Sequence, residues 1–585
     1  MESLKLFWQK TKEKAVNFFR RQSQKKHPWL LGVSAVLLFI LLYILSALST
    51  LRIFLPHYPE LTGFPVASKN YLIVFQNNHE LRPGGGFISA YGIAKFYNGI
   101  FTGIDVSDVY GDIDNHPYMD PPYPMKELLA NQWYTGYNFR DANYEADFPK
   151  TAEELIRMFN IAKPQTRIDG VVAVNYSFLE DLLGAVGQID VDGNLFSKDS
   201  LFEMLEHQVN NVDRHNEEQL ANRKNILKVF AQNLIKKIVF SPLKIRRVSD
   251  AVVHSLATKE IQLYFINPTL EQLAVDQGWS GQWPQTFNGD FLGVVEANLG
   301  GMKSDRYIKR FVTDHVTMSE NLETGGMNLV SDVTVDIEHY GIDNIPLNGA
   351  YTGFYRIYVP RGATLLDIAP DYKKDLWQKD DGLFHIFGNV VRLNPGQKTE
   401  LHYRYSLPAG VLGKNNDYQL YIPKQSGTSQ DYYMVIFEAP QGMRTMSTTM
   451  TPKENIGVFQ DEISSDLRLD LNILPDKSPP QVIFQGMDAL GKIVITFNEN
   501  VSNESSEDPL NYEITDLNIK HPEATDQLSI DSIVHSGKGV TLNVKGMTNQ
   551  PEERYGVSLK NISDTHGNII NPNPMDITVV QRFGK

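Results

Sequence analysis

Residues 168–191 read IDGVVAVNYSFLEDLLGAVGQIDV, and the order of apolar residues within them decides the fold class. Gly170–Asn175 is a short valine-rich run with the composition of a buried strand. Ser177 and Glu180 follow in the S-x-x-E pattern of a helix start, ahead of Leu182, Leu183 and Val186. Ile189–Val191 then returns to strand-like alternation. Upstream, Thr151 and Glu154 repeat the helix-start pattern before Leu155, Ile156, Met158 and Phe159. Downstream, Glu217–Val239 places Leu220, Ile226, Leu227, Phe230, Leu234 and Ile238 at helical spacing. Earlier still, an apolar run at 71–75 precedes two strand-like segments, 86–97 and 100–109, joined by Asn98-Gly99, the signature of a hairpin. Strands and helices mixed in this way predict a layered α/β domain over residues 70–301.

From residue 306 the texture changes. Segments 307–318, 328–339, 351–359, 400–407, 418–422 and 432–438 alternate or run apolar between Gly, Pro and Asn. They predict an antiparallel β-sandwich over 302–477. Ser478-Pro479-Pro480 is a stiff linker. Beyond it, 481–484, 492–497, 528–535, 540–544 and 555–559 predict a second, smaller sandwich over 478–585.

The other end of the chain is unlike either region. Residues 29–51 (WLLGVSAVLLFILLYILSALSTL) carry no charge over 23 positions. As a helix they would extend roughly 34 Å, enough for a hydrocarbon core of about 30 Å. Arg20, Arg21, Lys25 and Lys26 just before them place the basic tail, 1–28, in the cytoplasm and export the rest across the plasma membrane, a type II topology. Leu4, Phe7, Trp8, Phe18 and Phe19 suit a tail lying on the inner leaflet. A cleaved signal peptide has a shorter apolar core, about 7–15 residues. Residues 52–69, rich in Pro and turn formers, read as a spacer.

The 585 residues carry 55 Lys and Arg against 69 Asp and Glu, a net charge of −14. The first 27 hold eight Lys or Arg against two Glu, leaving 47 against 67 in the remainder, a balance of −20. A mass this acidic repels nucleic acid. With no cysteine, disulfides, thiolate metal sites and a cysteine nucleophile are excluded. Scattered histidines without an HExxH pair speak against zinc chemistry, and no GxSxG elbow occurs.

Three stretches carry a family resemblance: QNNHELRPGGGF (76–87), RDANYEADFP (140–149) and EANLGGMKSDRY (296–307). In this order they resemble the bacterial envelope family known as domain of unknown function 4012, over roughly residues 70–440. DPLNYEIT (508–515) and DTHGN (564–568) make the tail similar to the bacterial Ig-like modules of surface-layer proteins. Residues 168–191 and 221–238 also resemble the strand–helix segment and the arginine-opened helix of the LytR-CpsA-Psr family. That family transfers lipid-pyrophosphate-linked glycopolymers to the cell wall with magnesium and arginines. This chain has no SIPRDT-like stretch, and the helix-opening arginine aligns with Asn222 or Arg223, depending on register.

The resemblance implies a set of candidate residues. Arg82, Arg140 and Arg223 would stabilise pyrophosphate charge, Asp141 would hold Mg2+, and Lys224 and Lys303 would help bind substrate. Each has a plainer reading. Arg82 before Gly84–Gly86 also fits a tight turn paired to Glu80 or Asp141, and Arg140 with Asp141 fits a buried ion pair. Arg223 and Lys224 fit a solvated helix face, and Lys303 an entry turn. Tyr110, Asp112 and Asp114 read as a metal-competent or simply exposed acidic loop. Two functions follow: an envelope protein that binds or transfers a lipid-linked glycan or cell-wall polymer, or a non-catalytic scaffold or surface-binding protein. They part on whether Arg82, Arg140 and Arg223 converge within about 10 Å on one open cleft.

Overall fold

The computed structural model describes residues 51–110, 112–114, 119–129, 136–210, 217–320, 326–343, 348–429, 431–517, 528–547 and 552–581. The expected tail and anchor, 1–28 and 29–51, fall outside these apart from Leu51. No helix among the described residues is long and apolar enough to cross a membrane.

The first sheet has five strands in the order Ile100–Asp108, Gly85–Tyr97, Ser68–Arg82, Gly170–Asn175, Ile261–Phe265. Ser68–Arg82 is antiparallel to Gly85–Tyr97 and parallel to Gly170–Asn175. Asn98 and Gly99 both have positive φ, 52° and 83°, the hairpin geometry that an Asn-Gly pair adopts most readily. Alternate side chains of the central strands enter two cores. Leu72, Val74 and Val171 pack with Phe148, Leu155 and Phe159 of the helix Phe148–Ala162. Ile73, Phe75 and Val172 pack into the core of Tyr176–Val186, Glu217–Val239 and Ile245–Ala257. Helices on both faces of a mixed sheet make this an α/β layered domain.

Both expected helix starts move. Phe148–Ala162 begins after Asp147, with Pro149 in its first turn, where a fixed φ and a missing N–H cost nothing. Thr151 therefore lies inside the helix, and its hydroxyl donates to the Glu145 carbonyl at 2.8 Å. Tyr176–Val186 starts directly after Asn175, where the strand ends, and the Ser177 hydroxyl donates to Glu260. Ile189–Val191 pairs only with Asn194–Phe196 in a separate ribbon. Residues 52–69 are more than a spacer: Phe54 packs against Phe265 and Trp279 at ring distances of 6.1 and 5.8 Å.

The second region stacks a seven-stranded sheet on two four-stranded ones. The large sheet runs Thr364–Ile368, Lys398–Ser406, Met327–His339, Ile308–Glu320, Asp431–Glu438, Ile456–Ile463, Thr451–Lys453. Its central pair, Ile308–Glu320 with Asp431–Glu438, is parallel. The expected purely antiparallel sandwich is thus corrected: the chain passes through the opposing layer, as Tyr351–Pro360 and Asp417–Ile422, before returning beside its first strand. Val312, Val316, Val333 and Val335 meet Tyr355, Ile357, Leu420 and Leu471 between the layers. Asp290–Phe291 and Gly293–Asn298 pair within this sandwich, so its chain starts by Asp290 rather than at residue 302. The last region closes a four-stranded and a three-stranded sheet over Ile495, Phe497, Leu542, Tyr555 and Val557.

Candidate functional site

The three stretches singled out in the sequence meet at the seam between the α/β domain and the sandwich. Arg82 ends the strand Ser68–Arg82 and is 2 % exposed. Its Nη2 lies 3.1 Å from Asp141 Oδ1 and 3.2 Å from Glu80 Oε1. Nε also donates to Asp141, at 3.3 Å, and Nη1 donates to the carbonyls of Leu81 and Asn298. Asp141, 1 % exposed, sits between two arginines, since Arg140 Nε is 3.6 Å from its Oδ2. Arg140 is bound in turn to Asp114 at 2.9 Å, with its guanidinium over the Tyr110 ring. Arg82, Arg140 and Asp141 are thus paired with one another and with Glu80 and Asp114.

The glycines serve the same knot. Gly84 N–H donates to the Asn143 carbonyl, and Asn143 Nδ2 donates back to Gly86 at 2.6 Å. A Cβ on Gly86 would stand 2.2 Å from the Asn77 carbonyl carbon, and one on Gly85 2.0 Å from Gln76 Oε1. These glycines let the loop pack closely against the backbone and side chains around it, where a Cβ would collide.

The third stretch closes the seam. Leu81 N–H donates to Asp305 Oδ2 at 2.9 Å, and Asn298 Nδ2 donates to the same oxygen. Glu296, 1 % exposed, accepts from Arg310 at 2.7 Å and from the Tyr351 and Tyr355 hydroxyls. Arg310 also holds Asp431 at 2.6 Å. The buried loop Lys424–Thr428 plugs in from the sandwich: Gln425 Nε2 donates to the Arg82 and Glu296 carbonyls, and Ser426 Oγ to the Lys259 carbonyl.

Burial shapes the ionisation here. It pushes the Glu80 carboxyl above its usual range against the pull of Arg82 and Lys303. It raises Asp114 to about 7 against the pull of Arg140. Burial, with Glu296 beside it, carries Asp305 well above the carboxylate range. His79 is pushed down to about 4 by burial and by the charges of Arg306 and Lys303, and stays neutral.

Over this knot opens a cleft of about 240 Å³, lined in part by Asn78, His79, Asp305, Arg306, Thr428 and Ser429. Sequence reasoning passed over His79, Asp305 and Arg306, although all three lie inside the quoted stretches. Thr428 and Ser429 carry no local signal. Lys303 is half-buried beside this cleft, close enough to act on His79 and Glu80. Arg223 and Lys224 belong to the helix Glu217–Val239, and their side chains fall outside the described ones. Asp141, the expected Mg2+ ligand, lies between the Arg82 and Arg140 guanidiniums. Among the described residues, donor atoms spaced for a metal ion occur at Asp476, Asp564 and His566, within 4.8 Å of one another. That cluster lies where the sandwich meets the last domain, far along the chain from Asp141.

Fold and seam together define an α/β domain joined to a β-sandwich by hydrogen bonds that run between buried ion pairs on either side. Within that architecture, residues 67–209 match the family described as a protein of unknown function (DUF4012). The match holds two of the three quoted stretches, those at 76–87 and 140–149. No curated protein matches the chain. Among solved structures, a putative nutrient-binding protein from Legionella pneumophila is 11% identical over 32% of this chain and 71% of its own, with a TM-score of 0.21. A transcriptional regulator from Bacillus subtilis is 16% identical over 37% of this chain and 78% of its own, TM-score 0.20. A protein from Listeria innocua is 11% identical over 45% and 90%, TM-score 0.21.

Proposed function

We propose that this chain is a single-pass, membrane-anchored protein of the cell envelope that works outside the cell as a non-catalytic scaffold and binding protein. The observation that carries the reading is the state of Arg82: buried, with all three guanidinium nitrogens engaged by Glu80, Asp141 and backbone carbonyls. A phosphotransferase needs cations that meet developing phosphate charge. Here two arginines, Arg82 and Arg140, face three carboxyls, Glu80, Asp114 and Asp141, so both guanidiniums are already engaged by partners within the protein.

On this reading the likeness to the LytR-CpsA-Psr family is one of fold in the strand–helix region, without that family's reaction or its Mg2+. The last domain is a bacterial Ig-like module that extends the protein away from the bilayer. Residues 29–51 are the anchor, with the basic tail on the cytoplasmic leaflet. Protease added to intact spheroplasts tests the placement. Digestion of the C-terminal domain before lysis is expected, whereas protection until lysis would overturn it.

A further inference from the structure

The outer face of the seven-stranded sheet carries a groove of about 810 Å³, and strand register gives its floor residue by residue. Glu400 pairs with Asp336, Asp336 with Phe311, Phe311 with Tyr432, and Tyr432 with Glu462. These five side chains form one row across five adjacent strands, spanning about 19 Å at the usual strand spacing. The next row repeats the pattern with charge alone: Lys398 pairs with Glu338, and Glu338 with Lys309.

The row has a distinct chemistry. Phe311 and Tyr432 lie with ring centroids 6.0 Å apart and planes only 14° from parallel, and Tyr432 is 40% exposed. Around them stand four carboxylates and two lysines. Asp336, Glu338, Lys398, Glu400 and Glu462 make no side-chain ion pair or hydrogen bond among the described residues, and Lys309 reaches only the Tyr340 ring, at 4.6 Å. Strand alternation sends the Arg310, Val312 and Asp314 side chains toward the opposite, buried face, and Arg310 lines both this groove and the cleft at the seam.

The occupant follows from what this surface would accept. A polyanion meets four carboxylates against two lysines and is repelled. An apolar protein face would strip water from six charges without pairing them, which is strongly unfavourable. An uncharged chain of pyranose rings fits both demands. Its hydroxyls donate to carboxylates and accept from lysines, and its C–H faces pack on aromatic rings. The groove's size also lies in the range of ordinary ligand sites, about 300–1,000 Å³.

We propose that this groove binds a neutral oligosaccharide laid across the strands, with Phe311 and Tyr432 as its platform and Asp336, Glu400 and Glu462 as hydroxyl acceptors. The inference goes beyond the scaffold reading and depends on it only for which side of the membrane the sugar lies. The test is calorimetric titration of the purified full chain with tetramers of glucose, mannose, galactose and N-acetylglucosamine. A poly(glycerol phosphate) and a lysine-rich peptide serve as charged comparisons. Binding of at least one neutral tetramer is expected, weakened at least tenfold in Tyr432→Ala and in Glu400→Gln, both with the parent's melting temperature, and kept in Tyr432→Trp. Failure of every neutral tetramer to bind, unchanged binding in both weakened variants, or binding of the charged comparisons alone would overturn the proposal.

Discussion

Removing the Arg82 guanidinium separates a structural cation from a functional one. In Arg82→Ala, Glu80 loses its partner at 3.2 Å, the Asn298 carbonyl loses its donor, and Asp141 keeps only Arg140 at 3.6 Å. Breaking a buried pair by deleting one partner costs about 3–5 kcal/mol. The surviving Arg140 contact argues for the lower end, about 3 kcal/mol. For a domain of this size that is a fall of about 6–12 °C in its melting temperature.

The loss also carries a pH signature. With Arg82 gone, the Glu80 carboxyl, already held above its usual range by burial, loses the charge that pulls it down and binds its proton more tightly still. The folded chain then binds more protons than the unfolded one, and stability falls as pH rises above about 4. The deficit of the variant is therefore larger at pH 8 than at pH 5. Arg82→Lys falls between parent and alanine, because one ammonium cannot meet Glu80, Asp141 and the Asn298 carbonyl together. The assay is thermal unfolding of the purified chain followed by calorimetry at both pH values. A variant within about 0.5 kcal/mol of the parent at pH 8, the range of ordinary surface substitutions, would refute the structural role of Arg82.

Three further outcomes are expected. Gly86→Ala drives a methyl into the Asn77 backbone, so a loss of about 1–3 kcal/mol or more is expected, read as a lower melting temperature; an unchanged one contradicts the close-approach argument. His79, depressed to about 4 in the fold against about 6.5 unfolded, contributes stability that is complete above about 6.5 and lost as pH falls toward 4, at most about 3 kcal/mol. Melting curves between pH 4 and 7 should flatten in His79→Gln, and an unaltered slope would count against the burial of that ring. Asp305→Asn keeps an acceptor for Leu81 N–H and Asn298 while replacing an acid whose charged form burial disfavours. It should leave stability at pH 8 equal or higher, and a loss above about 2 kcal/mol would show that the carboxyl is needed as such.

Much of the fold was legible because its signals are local. The hairpin at Asn98-Gly99 needs only a turn that accepts positive φ. Glu217–Val239 declares itself through helical spacing, and the alternating strands of the sandwich through one buried and one wet face. The helix starts at 148 and 176 were misplaced because a proline and a strand exit act over shorter range than the S-x-x-E pattern. The parallel pairing of Ile308–Glu320 with Asp431–Glu438 was hidden, since a strand's composition does not reveal which distant strand lies beside it. The same holds for the candidate site. Arg82, Arg140 and Asp141 were visible as residue types, but whether they face a phosphate or one another depends on Asn298 and Asp305, more than 150 positions later in the chain. The sheet groove was invisible in sequence because Phe311, Asp336, Glu400, Tyr432 and Glu462 become a row only through register.

The most direct measurement is turnover. Purified full-length chain is incubated with a radiolabelled polyprenyl-pyrophosphate-linked glycan, Mg2+ and cell-wall acceptor, and released lipid phosphate is followed over time. The account predicts no release above the protein-free rate, with or without Mg2+. Magnesium-dependent release that disappears in Arg82→Met, in a variant that melts with the parent, would contradict it.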